Sequence, residues 1–302
     1  MSGKLKEVKT RIASVKSTQQ ITKAMKLVAA SKLKRATDAI VEMRPYATKL
    51  GEMLSNIVKA TEGEVNLELA NQRPEIDNVL LVVITSDKGL CGGFNANVIK
   101  QGVKGLELFD QQRQAGKLTV LTLGKKGNDF FKKYEDLNLI DDYVNVFKSL
   151  NFETASEAAE FILEKYSIGE FDMVKVAYAE FKNPVVQNFQ LKDFLPIPRI
   201  DAPIVSDSAE NKGGNADYIF EPSKEVLLKE LAPKILKTQL YSYMLDSNAS
   251  EHGARMTAME AATENANELL RDLKLTYNRA RQAAITTELT EIVSGAAALK
   301  GN

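Results

Sequence analysis

A glycine-rich stretch, SDKGLCGGFN from Ser86 to Asn95, follows a run of apolar, β-branched residues and precedes a helical pattern. Such turns cradle phosphates when they match one of two spacings. The P-loop needs G-x-x-x-x-G-K-[ST], because its lysine reaches the phosphates and its hydroxyl holds Mg²⁺. The dinucleotide-binding fingerprint needs G-x-G-x-x-G. The stretch matches neither pattern, so we expect its glycines to serve a tight strand-to-helix turn.

Side chains able to carry out catalysis are scarce in the rest of the chain. Cys91 is the only cysteine and His252 the only histidine among 302 residues. Multi-histidine metal sites are therefore excluded, and no base lies near Cys91 in the sequence. We expect Cys91 to be a small buried residue and His252 to pack in a helix seam. The sequence predicts no catalytic residue, cofactor or metal site, and the single cysteine indicates a reducing compartment.

Charge is balanced over the whole chain but not locally. Forty Lys and Arg residues match forty Asp and Glu residues, which argues against a dedicated nucleic-acid binder. Residues 1–35 nevertheless hold ten basic residues against one acid, Glu7. This basic arm has three interpretations: the solvated face of a helix, a site that binds nucleic-acid phosphates, or a surface that binds acidic protein loops. No aromatic residue lies between Met1 and Arg44 to stack on bases, so the first and third interpretations are favoured.

Residues 1–60 form the first of the regions that must position these side chains. From Leu5 to Ile57, stepping by three and four, thirteen of sixteen positions are apolar, which predicts a coiled-coil helix. Three consecutive positions are polar, and the apolar residues beside them lie one position out of frame. We expect this shift to rotate the apolar stripe and to change the supercoil locally. The polar residues are Gln19, Thr22 and Lys26, and the apolar ones are Ile21, Met25 and Val28.

Residues 76–205 alternate between strand-like and helical patterns. This alternation predicts an inserted, Rossmann-like α/β domain with a sheet that is at least partly parallel. A polar loop is expected at 206–221. Strands are predicted at 79–85, 118–123, 173–180 and 185–191, and helices near 95–110, 125–135 and 153–167.

Helical periodicity returns in residues 222–302. Stepping from Leu228 to Ala284, thirteen of seventeen positions are apolar, and the frame moves after Ala284. Two helices with one seam each would pack together as an antiparallel coiled coil, with the α/β domain at one end. At ~1.5 Å per residue they would span roughly 80 Å and 110 Å, so the C-terminal helix would project roughly 30 Å beyond its partner.

The projecting tip, Gln282–Leu299, has an unusual composition. It contains no basic residue, many small side chains, and only Glu288 and Glu291 as charges. Exposing its large apolar residues to water would be costly, so we expect a close-fitting apolar sleeve to enclose them. These residues are Ile285, Leu289, Ile292, Val293 and Leu299.

Four stretches resemble the gamma subunit of the F-type ATP synthase, bacterial type. In that family, the terminal helices form a curved antiparallel coiled coil that rotates inside a ring of alpha and beta subunits. The α/β domain belongs to a foot that rests, with the epsilon subunit, on the c-subunit ring. The resemblance implies a non-catalytic rotor shaft that couples ion-driven rotation to ATP synthesis or hydrolysis on the beta subunits. The stretches are ITKAMKLVAASKLKRA (21–36), SDKGLCGGFN (86–95), ARMTAMEAAT (254–263) and YNRARQAAITTELTEIVSGAAAL (277–299).

The resemblance also implies contact residues, carried over by matching position. Basic groups near the frame break and near the start of the tip would meet acidic loops of the beta subunits. Tyr218 and Glu221 would belong to the foot and touch the c ring or epsilon. The implied shaft contacts are Lys23, Met25, Lys26, Lys32, Arg279, Arg281, Gln282 and Thr286.

The chain departs from the chloroplast-type members of this family, which carry a regulatory cysteine pair that Cys91 alone cannot form. No cleaved targeting peptide and no membrane span are expected. These features favour a bacterial protein attached peripherally to the cytoplasmic face of the plasma membrane. The alternative function is an α/β nucleotide-binding enzyme with a coiled-coil arm, which would require Mg²⁺-dependent ATP binding at Gly89–Gly93.

Overall fold

The structure is a computed structural model that describes residues 2–60, 69, 73–197 and 224–300. Contacts divide the chain into two compact units. One comprises the residues up to Ser31 together with those from Arg255 onward, and the other comprises residues 32–254. In chain order the elements are α1 (Ser2–Ala60), β1 (Val79–Ile84), α2 (Phe94–Leu108), α3 (Asp110–Gln114), β2 (Leu118–Leu123), α4 (Lys125–Phe131), β3 (Asn138–Ile140), a 3₁₀ turn (Val146–Ser149), α5 (Phe152–Ser167), β4 (Met173–Phe181), β5 (Gln187–Leu195) and α6 (Lys224–Lys300).

The two terminal helices are long and continuous. They contain 59 and 77 residues, or about 90 Å and 115 Å at ~1.5 Å per residue. Each runs through one proline, Pro45 in α1 and Pro233 in α6, which removes one backbone hydrogen bond without ending the helix. The prediction of long terminal helices is confirmed. None of the described helices carries an apolar stretch long enough to cross a bilayer.

In the unit formed by the two chain ends, α1 and α6 run antiparallel. Among the side-chain contacts that join them, Gln19 Nε2 donates to Asn267 Oδ1 at 2.5 Å, the hydroxyls of Thr22 and Thr263 lie 2.8 Å apart, and Lys26 pairs with Glu260. The residue numbers of each pair add up to 285 or 286, so Ser2 falls opposite Ala283 or Ala284. Residues after Ala284 therefore extend past the start of α1, as predicted.

The predicted rotation of the seam near Met25 is wrong. Thr22 is 8% exposed and Ala29 1%, whereas Ile21 is 56% exposed and Val28 58%. The seam therefore keeps its original frame through the polar positions. It can do so because the buried Thr22 pairs with Thr263 across the seam, and the half-buried Gln19 and Lys26 pair with Asn267 and Glu260 at its edge.

The unit of residues 32–254 is built on a five-stranded sheet in the order β3-β2-β1-β4-β5. The first four strands in this order are parallel, and β5 is antiparallel to β4. The prediction of a partly parallel α/β sheet is confirmed. β3 was not predicted, because three residues are too few to show a periodic pattern.

The last strand begins later than predicted, at Gln187 rather than at residue 185. Asn183 explains the difference, because its Oδ1 accepts hydrogen bonds from the backbone N–H groups of Val185 and Val186 at 3.0 Å and 2.8 Å. A side chain that captures these groups holds residues 183–186 in a turn. The two valines that suggested a strand are therefore exposed at the tip of a hairpin.

Helices cover both faces of this sheet. Alternate residues of β1 point to opposite faces, and all six are buried. Val79, Leu81 and Val83 pack in the layer that contains residues of α2 and α4. Leu80, Val82 and Ile84 pack in the layer that contains α5 and the α6 residues Leu236, Leu240, Tyr243 and Met244. The first third of α6 thus serves as a covering helix of the sheet. The predicted loop at 206–221 lies outside the described residues.

Candidate functional site

The glycine-rich turn between β1 and α2 is closed by its own side chains. Asn95 Oδ1 accepts from the backbone N–H of Ser86 at 3.0 Å, and Asn95 Nδ2 donates to Ser86 Oγ at 2.8 Å. Ser86 Oγ in turn donates to the carbonyl of Lys88 at 2.7 Å. Leu90 and Gly92 adopt positive φ angles of 62° and 57°, which form the tight turn. The polar groups of the turn are thus engaged in holding the turn itself, as expected of a structural element.

Cys91 and His252 are both buried, as predicted, at 1% and 8% exposure. The thiol of Cys91 accepts a hydrogen bond from Asn95 Nδ2 at 3.1 Å and packs among the apolar residues between the sheet and α2. His252 lies on α6, with its Nδ1 4.0 Å from the carboxylate of Glu251. Among the described residues, no group of His, Cys, Asp and Glu side chains is arranged to hold a metal ion.

The implied contact residues of α1 differ in their availability. Lys23 and Lys32 are exposed, and Met25 is half-buried. Lys26 already forms an ion pair with Glu260 within the chain, and the two side chains are 35% and 46% exposed. An acidic partner loop would therefore have to share Lys26 with Glu260, whereas Lys23 presents an exposed ammonium.

The implied contact residues of α6 lie elsewhere along the coiled coil. Arg279, Arg281 and Gln282 are exposed, and Thr286 Oγ1 donates to the backbone carbonyl of Gln282 at 2.9 Å. Arg279 lies 19 residues beyond Glu260, the partner of Lys26, which is roughly 28 Å along a helix axis. The structure therefore separates the implied contacts into two belts rather than one site.

Three exposed apolar residues near the first belt were not singled out as contacts by the sequence. Ile21 is 56% exposed, Leu27 65% and Val28 58%. The out-of-frame spacing of Ile21 and Val28 is the signal in the sequence, but by itself this spacing predicts a rotation of the seam. In the structure it instead places these apolar groups on the outside of the coiled coil.

The tip beyond Ala284 exposes large apolar side chains. Ile285 is 50% exposed, Leu289 58%, Ile292 62% and Val293 66%. Burying one such side chain fully stabilises a complex by about 1.5–3 kcal/mol, so the tip can drive association strongly. The side chain of Leu299 and the foot residues Tyr218 and Glu221 lie outside what the structure describes.

Each hydroxyl side chain of the tip forms a hydrogen bond with the backbone of its own helix. Each donates to the carbonyl four residues earlier: Thr286 to Gln282 at 2.9 Å, Thr287 to Ala283 at 2.9 Å, Thr290 to Thr286 at 2.8 Å and Ser294 to Thr290 at 2.5 Å. A hydroxyl paired in this way can be buried without an unmet hydrogen bond. The tip can therefore enter an apolar sleeve at little desolvation cost, apart from Glu288 and Glu291.

Known proteins to which this chain is similar come from ATP synthases. Residues 4–299 match the family model described as ATP synthase. The chain is 52% identical to the ATP synthase gamma chain of Flavobacterium psychrophilum, over 98% of this chain and 99% of that one. It is 50% identical to the ATP synthase gamma chain of Chlorobium phaeobacteroides, over the same shares of the two chains.

Solved structures have the same fold. A chain from the central stalk and c ring of the Tetrahymena thermophila mitochondrial ATP synthase gives a TM-score of 0.58 at 26% identity, covering 80% of this chain and 99% of that chain. A chain from the Euglena gracilis mitochondrial ATP synthase gives a TM-score of 0.64 at 19% identity, covering 99% of this chain and 95% of that chain. The predicted combination of terminal helices with a central α/β sheet is therefore confirmed.

Proposed function

Because the chain belongs to the family of ATP synthase gamma chains, we propose that it is the non-catalytic rotor shaft of an F-type ATP synthase. Its coiled coil would turn inside a ring of alpha and beta subunits, and its foot would rest with epsilon on the c ring. Rotation driven by ion flow through the membrane sector would then be coupled to ATP synthesis on the beta subunits, and ATP hydrolysis to the reverse rotation.

The observation that carries this proposal is the exposed apolar tip with its satisfied hydroxyls. A helix that presents Ile285, Leu289 and Ile292 to water marks a surface that a partner covers. An apolar sleeve around the end of a shaft provides this cover and leaves the helix free to turn, since apolar contacts have no preferred direction. The alternative function, a nucleotide-binding enzyme with a coiled-coil arm, does not explain an exposed apolar helix end.

The same shaft would impose different states on chemically identical subunits. At any angle, an asymmetric helix pair touches each beta subunit differently, so it stabilises a different conformation in each. By reciprocity, nucleotide binding to the beta subunits biases the angle of the shaft. The exposed Lys23, Ile21 and Val28 on α1, and Arg279 and Arg281 on α6, are the groups through which we expect these contacts to act.

We further propose that the subunit lies on the cytoplasmic face of a bacterial plasma membrane. It would be attached there through the c ring and epsilon, with Tyr218 and Glu221 at the foot. The bacterial origin of the similar gamma chains from Flavobacterium psychrophilum and Chlorobium phaeobacteroides supports this location.

The test is co-purification of the tagged full-length chain with the alpha and beta subunits of the same enzyme. We expect a stable complex that hydrolyses ATP. Replacing Ile285, Leu289 and Ile292 together by aspartate should release the chain from the ring, whereas Glu288→Gln with Glu291→Gln, on the same tip, should not. Failure of the parent chain to join the ring, or tight binding of MgATP by the chain alone at Gly89–Gly93, would refute the proposal.

A further inference from the structure

Between residues 19 and 28, α1 exposes three large apolar side chains, Ile21, Leu27 and Val28, while its seam is polar. The seam encloses Thr22, at 8% exposure, while Ile21 and Val28 are 56% and 58% exposed. Turning α1 by one residue, ~100° about its axis, would bring the two apolar side chains inward. Burial of these two side chains favours the turn locally. It is opposed by the adjoining apolar seam, where Ala29 is 1% and Leu33 8% exposed, and by the polar contacts within the stretch itself.

The central contact of the three, the pair of hydroxyls on the buried Thr22 and the half-buried Thr263, opposes the turn. Thr263 Oγ1 lies 2.7 Å from the carbonyl of Met259, to which it donates its single proton. Its lone pairs are then available to Thr22 Oγ1, which lies 2.8 Å away. Thr22 Oγ1 also lies 3.0 Å from the carbonyl of Gln19 in its own helix, so each hydroxyl keeps an acceptor if α1 turns. What the turn would break is the hydrogen bond that joins the two helices, and that bond depends on their relative orientation.

The polar contacts on either side of the Thr22–Thr263 pair, which together with it form three polar layers across the seam, also oppose the turn. Gln19 Nε2 donates to Asn267 Oδ1 at 2.5 Å, one turn of helix before Thr22. Lys26 pairs with Glu260 one turn after it. Hydrogen bonds weaken steeply when their angle changes, whereas apolar contacts tolerate rotation. Three successive directional contacts therefore fix one rotational angle, as apolar layers in the same places would not.

We propose that these three polar layers set the rotational angle of α1 on α6 and so hold Ile21, Leu27 and Val28 on the outer face of the shaft. Single polar residues in coiled-coil seams fix the pairing of helices in a similar way, at a cost in stability. The inference rests on the proposed function only for what the outward side chains meet, namely the subunits that surround the shaft.

The test uses cysteine labelling of the full-length chain without partner subunits, so its outcome is independent of whether the chain joins the ring. In a Cys91→Ser background, one reporter is Val28→Cys on the outer face and the other is Ala29→Cys in the seam. The rate of reaction with a maleimide is measured for each. In the parent, the reporter at 28 should react fast and the reporter at 29 slowly, because only the former is exposed.

The layers are then removed from the α6 side by Glu260→Ala, Thr263→Val and Asn267→Ala together. We expect the rates to change in opposite directions, with residue 28 reacting about tenfold more slowly and residue 29 about tenfold faster, since labelling follows local exposure. Alanine at Glu264, Glu268 and Arg271, exposed positions of the same helix, is the matched control and should change neither rate. Thr263→Ser retains the hydroxyl and should behave as the parent.

Two results would overturn the inference. Unchanged rates at both positions, in a variant whose circular dichroism and melting remain cooperative, would mean that packing alone sets the angle. Faster labelling at both positions would mean that the layers only hold the helices together. If the triple variant does not fold, the single change Thr263→Val is measured against the same criteria.

Discussion

Asp246 on α6 should make the stability of the chain depend on pH. Burial, followed by the negative charge of Glu180 on β4, raises the pKa of Asp246 from 3.8 to about 6. Arg44 on α1, the backbone N–H of Phe181 and Lys192 on β5 act in the opposite direction without cancelling the rise. We predict that Asp246→Asn removes this dependence.

The size and sign of the effect follow from the shift in pKa. Below about pH 4 the carboxyl of Asp246 is protonated in both the folded and the unfolded chain, so its burial carries no cost of keeping a charge out of water, and the stability of the chain is at its full value. As pH rises through about 6, the unfolded chain has already ionised while the folded chain must release its proton at a cost. A rise of about two units corresponds to roughly 3 kcal/mol of stability lost by about pH 8. Asparagine cannot ionise, so Asp246→Asn should gain up to that amount over the parent.

The assay is urea unfolding of the parent and the variant across this pH range, followed by circular dichroism. The difference in unfolding free energy between them should grow from about pH 4 to about pH 8. Asp38→Asn, at an exposed position of α1, controls for the loss of one surface carboxylate. A difference for Asp246→Asn that stays constant with pH would refute the reasoning, because it would mean that the buried carboxyl does not titrate differently on folding.

Three further predictions concern stability and assembly. Gly124→Ala should lower the free energy of unfolding by about 3 kcal/mol or more, because a Cβ there would lie 2.1 Å from the carbonyl oxygen of Thr85. Gly116→Ala is the control in the same urea assay, since Gly116 also has a positive φ but lies in open space. It should cost only about 1–2 kcal/mol. Asp172→Asn should cost about 2–3 kcal/mol, because its carboxylate accepts hydrogen bonds from Arg73 and from the backbone N–H groups of Asp77 and Asn78. An equal cost for Asp129→Asn, whose ion pair with Lys126 lies at the surface, would contradict this. Removal of the residues after Ala284 should leave the melting temperature within about 2 °C of the parent and abolish retention in the ring, and loss of folding would mean that the tip packs on the rest of the chain.

The sequence by itself determined the main architecture. Heptad spacing from Leu5 and from Leu228 identified the two seams, because a helix that must bury one stripe repeats its apolar residues every three and four positions. Alternating strand and helix patterns identified the inserted sheet. The tip was predictable for the same reason, since its frame moves after Ala284 and the antiparallel register places the end of the pairing at that residue.

The tertiary structure decided features that the periodicity of a single segment cannot predict. Hydrophobicity favoured Ile21 and Val28 in the seam, yet they lie outside, because partners 241 residues away in sequence satisfy Thr22. The start of β5 likewise depended on the side chain of Asn183, which holds residues 183–186 in a turn. The implied contact residues remain predictions, and only the pairing of the two helices separates them into two belts. Patterns along one segment record which side chains prefer burial, whereas contacts between distant segments decide which of those preferences are met.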